Sequence, residues 1–417
     1  MIPSYAQHQR LIGARHTDSV TNTVAVGLRL IGALDVDALG RAVSELLSRH
    51  EALRMVFPTN DSVELHAHRI PLWTFDVEDP ERALEFLAGN ASRPFDLANG
   101  PLFRVTLVRV EPRLHLLGLE LDHQITDGWS NRVLVNDLLR VYAAFAADER
   151  PPPLPESMSF ASFIRSERER DHDRHVRYWR KQLAGISLVP ESGLRDRAGS
   201  PGAGSVSVTT DAAPVVGFAR SQGVSVVPVI TGAVQAVTWK RRSERSSDVA
   251  IMSWLANRIA PMVDDTVGYF ATRTVLRTDL GGDPGFVEVV DRAAKTLWGA
   301  LRHQRVPHAL LLRRLEPSRY GAVYRGEIPF LELNVSQDFE LCRIPGLLVE
   351  RVSVPVVQAP AGGLKITAGV DGGSLWLRLV YREELFSRAW CEAFLADVRE
   401  YLEAGVRDPA VCLARPG

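Results

Sequence analysis

The segment LDHQITDGWS, Leu121 to Ser130, holds a histidine and an aspartate four residues apart, a pair of side chains that could move a proton. The preceding run RLHLLGLELDH alternates in side-chain character and predicts a β-strand, whereas the residues that follow have the apolar spacing of an amphipathic helix. Alternation places Asp122 on one face of the strand and His123 on the other, more apolar face. A neutral imidazole at that strand end could accept a proton from an attacking amine or hydroxyl.

The spacing alone leaves the role of Asp127 open, because it could be a second catalytic group, an orienting partner or a structural cap. Asp127 and Gly128 together favour a sharp turn into the helix. Ser130 lies where a helix cap is expected, and no G-x-S-x-G elbow supports it as a nucleophile. A lone strand-end histidine can also be purely structural, so the segment needs support from the rest of the chain.

The composition excludes several classes of protein. The chain has 417 residues, is 46% hydrophobic and 24% charged, and carries a formal charge of -1, which disfavours nucleic acid and anionic membranes as partners. Its polar start and the lack of any long apolar run predict a soluble, cytoplasmic protein. The abundance of arginine over lysine suggests a bacterial source of high GC content.

No metal site is predicted. The three cysteines are scattered, without a C-x-x-C pair or histidines at ligand spacing. His172 and His175 lie three residues apart, but their charged surroundings predict a solvated helix face.

Strand and helix patterns alternate along the whole chain, so the fold class is α/β. Val24–Phe57 has a strand–helix–strand pattern, Glu81–Asp96 resembles a helix, and two alternating runs form a hairpin that turns at Glu111 and Pro112. The proline cluster at Arg150–Ser157 marks a linker, and the single charged helix SFIRSERERDHDRHVRYWRKQLAG follows it. The glycine-rich stretch LRDRAGSPGAGS is a second loop. We predict two mixed lobes, residues 1–170 and 171–417.

The opening segment resembles the H-H-x-x-x-D-G core motif of the condensation domains of nonribosomal peptide synthetases, which belong to the chloramphenicol-acetyltransferase-like acyltransferases. Six further stretches resemble motifs of that family and occur in the family's order, while SYAQHQRL near the start matches only in part. These stretches are RHEALRMVF (Arg49–Phe57), RPFDLANGPLFRVTL (Arg93–Leu107), RYWRKQLAG (Arg177–Gly185), VGYFATRTVLR (Val267–Arg277), HQRVPHALL (His303–Leu311) and VYREELF (Val380–Phe386).

The resemblance implies a fold and a set of roles. It implies two acyltransferase-like lobes that form a V-shaped pseudo-dimer with mixed sheets, and a tunnel between them that holds the motif histidine. His123 would be the catalytic residue, and Asp127 would organise the loop through an ion pair, with Arg277 as its expected partner. Gly128 would allow the turn and place a backbone N–H near the developing oxyanion.

Two positions depart from the family motifs. Asp122 stands where the first motif histidine is expected, and alternation predicts a structural role for it, in an ion pair with an arginine. Thr272, followed by Arg273, stands where the family has asparagine, which would reshape the tunnel wall. The candidates for the substrate tunnel are Trp129, Ser130, Asn334 and Thr272.

The resemblance implies a condensation enzyme of antibiotic-type secondary metabolism. It would transfer an acyl or aminoacyl group from a carrier-protein thioester, held on 4'-phosphopantetheine, to an amine or hydroxyl, forming an amide or ester. The alternatives are an acyltransferase that uses acyl-CoA and a catalytically silent domain that recruits a carrier protein. Since the chain starts with Met and shows no adenylation or carrier segment, we expect it to meet its carrier protein in trans. The two lobes already make the site, so we expect a monomer, with no permanently bound cofactor.

Overall fold

The computed structural model describes residues 1–16, 22–153, 155–185, 202–242, 246–315, 329–336, 339–355 and 359–412. These residues form two compact units that do not follow the chain in simple order. The first unit comprises Met1–Arg170, Ala256–Ala271 and Phe339–Val356, and the second comprises Asp171–Leu255, Thr272–Asp338 and Val357–Gly417. Two short segments of the C-terminal half therefore belong to the first unit, whereas the predicted lobes of residues 1–170 and 171–417 leave them in the second.

The first unit is built on a five-stranded mixed sheet with the strand order β11-β1-β6-β5-β4. Strand β4 is parallel to β5, and the other neighbours in the sheet are antiparallel. Its elements are α1 (Tyr5–His16), β1 (Thr23–Gly32), α2 (Val36–Arg49), β2 (Met55–Thr59), β3 (Ser62–Leu65), β4 (Leu72–Asp76), α3 (Pro80–Ala91), β5 (Phe103–Glu111), β6 (Leu114–Asp122), α4 (Gly128–Ala146), α5 (Phe160–Glu169) and β11 (Leu347–Val352).

The local sequence explains the elements that carry the site. The predicted hairpin of β5 and β6 is confirmed, with Phe103 opposite Leu121 at its open end. Helix α3 packs Ala83 and Leu87 against one face of the sheet, together with Leu116 of β6. Strand β6 is buried along almost all of its length, so the residue at its end is held on a rigid support.

The second unit is built on a six-stranded mixed sheet with the strand order β7-β13-β12-β10-β8-β9. Strand β10 runs parallel to β8 and β12, and the remaining pairs are antiparallel. Its elements are α6 (Asp173–Leu183), β7 (Ala203–Asp211), α7 (Ala212–Ser221), α8 (Val226–Lys240), β8 (Asp248–Leu255), β9 (Thr272–Asp279), α9 (Phe286–Arg302), α10 (His308–Leu315), β10 (Phe330–Val335), β12 (Gly363–Asp371), β13 (Ser374–Arg382) and α11 (Arg388–Arg407).

The structure differs from two of the sequence-based predictions. The charged stretch predicted as one helix forms two, α5 and α6, because Arg170 is extended and Asp171–His172 interrupt the helix. The glycine-rich stretch predicted as a loop lies mostly outside the described residues, and its last three residues, from Ala203, already belong to β7.

Among the described helices, none has by itself the length and apolarity needed to cross a membrane. The consecutive helices α7 and α8 meet that test only when taken together, by length and composition, and they are bent at 106° to each other. Nearly every residue of α8 is buried within the protein.

Candidate functional site

The loop between β6 and α4 holds His123 in a defined orientation. Its main-chain N–H donates to the carbonyl of Asn22 at 2.7 Å, and its Nδ1 lies 2.8 Å from the carbonyl of Thr126. A carbonyl oxygen can only accept a hydrogen bond, so Nδ1 carries the proton in this contact. In the neutral ring the basic nitrogen is then Nε2, which is the atom that could take a proton from a nucleophile.

Tyr269, which the sequence did not single out, packs against this ring, and Arg10 in turn contacts Tyr269. Tyr269 packs against the His123 ring with their centroids 5.0 Å apart, in an edge-on arrangement. The guanidinium of Arg10 lies over the Tyr269 ring, and its Nη2 donates to the tyrosine hydroxyl at 3.3 Å. Both residues lie within stretches that resemble family motifs, but no periodicity or spacing could have shown that they meet at His123.

Asp127 is a buried hydrogen-bond acceptor rather than a second proton-transfer group. Its Oδ1 accepts from the N–H of Ser130 at 2.7 Å, which caps helix α4. Its Oδ2 accepts from the N–H groups of Phe270 and Ala271 at 2.9 and 3.0 Å. The aspartate therefore joins the start of α4 to the 256–271 segment, and its structural, orienting role stays a prediction that these contacts support.

Arg258 is the arginine that pairs with Asp127. Its Nη2 lies 3.2 Å from Oδ1, and both side chains are almost fully buried. Its Nη1 donates to the carbonyls of Val263 and Thr266, each at 2.6 Å, and the guanidinium lies 3.8 Å from the centroid of the Phe270 ring. Burial lowers the pKa of this guanidinium, while the charge of Asp127 raises it.

The prediction that Arg277 forms the ion pair with Asp127 is wrong. Its guanidinium binds Asp248 at 2.6 Å and the carbonyls of Gln182 and Ala184 at 3.0 Å, all within the second unit. Arg277 therefore ties β9 to the C-terminal end of α6, where carbonyl groups attract a cation. The sequence suggested Arg277 because it closes a recognisable motif, whereas Arg258 lies in an irregular stretch with no such signal.

The Ser130 hydroxyl makes all of its hydrogen bonds within the first unit. Its hydroxyl donates to the carbonyl of Gly268 at 2.6 Å and accepts from Arg258 at 2.7 Å and from the N–H of Gly268 at 3.0 Å. The cap of α4 is Asp127, so the prediction that Ser130 caps this helix is wrong, while its predicted place in a tunnel wall stays a prediction. A glycine is needed at 268, because a Cβ there would lie 2.4 Å from the ring of Phe160.

Asp122 is buried, but it does not form the predicted ion pair with any described arginine. Its carboxylate accepts from the N–H of Gln124 at 2.8 Å. Burial raises the pKa of this carboxyl to about 6, although the Gln124 N–H and the charge of Arg10 act in the opposite direction. The two terminal nitrogens of Arg10 donate hydrogen bonds to Asn22 and Tyr269 instead.

Gly128 is the first residue of α4 and has no positive φ, so the turn does not need a glycine. A Cβ at this position would meet nothing within 4 Å. The idea that Gly128 allows the turn is therefore wrong, and its N–H as an oxyanion donor stays a prediction.

The other candidates lie apart in the two units. The indole N–H of Trp129 donates to the carbonyl of Asp264 at 2.8 Å, so this ring fastens α4 to the 256–271 segment. Thr272 starts β9 in the second unit with its side chain buried. Asn334 lies near the end of β10 and is half-buried. The places of Thr272 and Asn334 in a substrate tunnel stay predictions.

The pair predicted on a solvated helix face is partly enclosed. His172 is buried, and Nδ1 of His175 lies 3.1 Å from Nδ1 of His303. The ring of Tyr178 stacks on His303 with the centroids 3.8 Å apart. Burial and the neighbouring His303 lower the pKa of His175. In the part of the chain that the structure describes, no three histidine, cysteine or acidic side chains meet as a metal site.

The chain matches known proteins over nearly its whole length. Residues 4–416 match the family model described as Condensation domain. A probable nonribosomal peptide synthetase of Salinispora arenicola, CymA, is 31% identical over 94% of the chain, which spans only 5% of that relative. The X-domain from teicoplanin biosynthesis superposes with a TM-score of 0.83 at 24% identity, covering 100% of this chain and 97% of that one. The SgcC5 protein from Streptomyces globisporus gives 0.81 at 25% identity, covering 99% and 100%.

We predict that Asp127→Ala lowers the free energy of unfolding by about 3–5 kcal/mol, because it leaves the Arg258 guanidinium buried without its counter-charge. Urea unfolding followed by circular dichroism measures the change. The control is Asp76→Ala, whose aspartate is exposed and lies 3.6 Å from Arg109, and for which we expect a loss under about 1 kcal/mol. Equal losses in the two variants would contradict the buried ion pair.

Asp122→Asn should stabilise the protein at pH 8 by about 1–3 kcal/mol, since the amide keeps the Gln124 contact without burying a charge. The folded-state pKa of Asp122, about 6, lies above its ordinary value of 3.8, so the cost of the charge grows between these two values. The variant and the wild type should therefore converge below pH 4. A difference in unfolding free energy that does not change with pH would rule this out.

Gly128→Ala should leave the thermal unfolding temperature unchanged or raise it, because alanine is favoured over glycine in a helix by up to about 1 kcal/mol. Differential scanning calorimetry gives the comparison. A clear drop in unfolding temperature would mean that the turn into α4 needs a glycine after all.

Proposed function

Because the chain belongs to the condensation-domain family, whose members form amide bonds in nonribosomal peptide biosynthesis from substrates delivered by carrier proteins, we propose that His123 is its catalytic residue. The donor would be an acyl or aminoacyl thioester on the 4'-phosphopantetheine of a carrier protein, which arrives as substrate. The acceptor would be an amine. The observation that supports this proposal most directly is the 2.8 Å contact from Nδ1 of His123 to the carbonyl of Thr126, which leaves Nε2 as the basic atom.

The proposed step is simple. The acceptor nitrogen bonds to the thioester carbonyl carbon and gives up a proton, which Nε2 of His123 accepts. The carbon–sulfur bond then breaks, and the sulfur takes up a proton, so that an amide and a free thiol remain. Gly128 is the first residue of helix α4, and N–H groups in the first turn of a helix have no partner inside the helix. The N–H of Gly128 is therefore our candidate donor to the oxyanion.

Only a modest lowering of the activation barrier is required from the protein. A thioester is already activated, and holding it beside the amine can contribute about 7–11 kcal/mol to lowering the barrier. General-base assistance by a histidine adds about 100- to 10,000-fold. The remaining demand is a fixed imidazole, which the contacts to Asn22 and Thr126 meet.

We predict that His123→Ala lowers the turnover number by about 100- to 10,000-fold, with the fold unchanged. A carrier protein loaded with acyl-phosphopantetheine is mixed with an amine, and the amide product is followed by mass spectrometry. The matched control is His66→Ala, which removes a half-exposed histidine of the same unit whose ring lies 3.0 Å from Glu64. Turnover that is equal in wild type and His123→Ala would sink the catalytic assignment.

The same assay separates the alternatives. Product from acyl-CoA that does not depend on the carrier protein would indicate a CoA-dependent acyltransferase. Tight carrier binding without product from any donor would indicate a recruitment domain. An alcohol acceptor should be included beside the amine, because SgcC5 was solved in complex with a 1,2-ethanediol.

A further inference from the structure

Four residues of the first unit form a closed circuit of contacts around the imidazole. Nη1 of Arg10 donates to Oδ1 of Asn22 at 2.8 Å, and the carbonyl of Asn22 accepts from the main-chain N–H of His123 at 2.7 Å. The His123 ring meets the edge of Tyr269, whose hydroxyl accepts from Nη2 of Arg10. The circuit therefore returns to the arginine at which it began.

Each contact limits a different freedom of His123. The bond to Asn22 fixes its main chain, and the bond from Nδ1 to Thr126 fixes one edge of the ring. The Tyr269 ring packs edge-on against the imidazole, with the two planes inclined at 63° and their centroids 5.0 Å apart, which restricts rotation about the Cβ–Cγ bond of His123. Tyr269 is itself buried, and Arg10 holds its hydroxyl end.

The circuit carries a positive charge, and Asp122 supplies a negative one beside it. Asp122 and His123 are neighbours at the end of β6, and the charge of Arg10 acts on the Asp122 carboxyl. Other charged groups around this strand end and loop include Asp127 with Arg258, and Glu120 with Arg104 on the neighbouring strand. Each of these four has its opposite charge beside it, so Arg10 and Asp122 are the pair whose balance acts on the imidazole.

We infer that Arg10 and Tyr269 are positioning residues for His123, and that the Asp122 carboxylate balances the charge of Arg10 next to the imidazole. The inference rests on the proposed function, in which His123 accepts a proton during condensation. It also explains the departure at position 122, because an aspartate there sets how readily the neighbouring ring holds a proton. In this proposal Arg10 and Tyr269 act through His123.

Two charge variants test the inference through the pH dependence of the turnover number. Arg10→Met removes a positive charge and favours the protonated ring, so the midpoint of the acid limb should rise by about 0.5–1 pH unit. Asp122→Asn removes the negative charge and should lower that midpoint by a similar amount. A purely structural role for these residues would not move the two midpoints in opposite directions.

Two variants of Tyr269 test the positioning itself. Tyr269→Leu should lower kcat by about 10- to 100-fold with KM little changed, since a small displacement of the ring costs rate rather than binding. Tyr269→Phe keeps the ring and should lose much less. The matched control is Arg41→Met, because Arg41 also lies over an aromatic ring, that of Phe145, at 4.7 Å, and we expect wild-type kcat and pH profile.

The outcomes are distinguishable. Wild-type kcat in Tyr269→Leu, or midpoints unmoved in both charge variants, would overturn the inference while leaving the proposed function intact. If Tyr269→Leu does not fold, the charge variants and Tyr269→Phe still decide. If the wild type makes no product, the proposed function fails, and the titration of His123 followed by NMR in the same variants tests the circuit, with the same opposite shifts expected.

Discussion

The buried ion pair between Asp127 and Arg258 is the interaction on which the rest of the site depends. Removing two charges from water is costly, and the cost is recovered only where further hydrogen bonds complete both groups. The aspartate accepts from three main-chain N–H groups besides the arginine, those of Ser130, Phe270 and Ala271. One carboxylate thereby starts helix α4 and fastens the 256–271 segment, which carries Tyr269 to the His123 ring.

Within the motif, neighbouring residues have different roles. In the proposed function, His123 offers a basic nitrogen and Asp122 contributes charge from inside the sheet, whereas the Asp127 carboxylate holds the main chain at the start of α4 and in the 256–271 segment. A single strand end can hold these roles because alternation and the turn send the three side chains to different surroundings. The motif is therefore more tolerant of a change at position 122 than at position 127, where four hydrogen bonds meet on one carboxylate.

Local features of the sequence predicted much of the fold. Alternation predicted the β5–β6 hairpin, although β6 ends at Asp122, one residue before the predicted strand end at His123. Helix α4 was predicted, and it begins at Gly128 because its cap is Asp127 and not the predicted Ser130. These elements depend on spacing within a few residues, which is the information that periodicity carries.

The parts that were missed depend on contacts between residues far apart in the chain. Arg258 lies 131 residues from Asp127 and occupies an irregular stretch, so only the fold brings them together. The same holds for Arg10 and Tyr269, which are 259 residues apart. The sequence also could not show the hydrogen bonds between the Ser130 hydroxyl and Gly268, a residue that packs closely against the ring of Phe160.

The interrupted path of the chain through the first unit has a consequence for its synthesis. Asp127 leaves the ribosome 131 residues before Arg258. At a synthesis rate of about 5–20 residues per second, that interval is on the order of ten seconds. During it the nascent chain holds a carboxylate that has not yet met its counter-charge. Strand β11, at the edge of the first sheet, is added later still, so this unit is completed only after most of the second has been made.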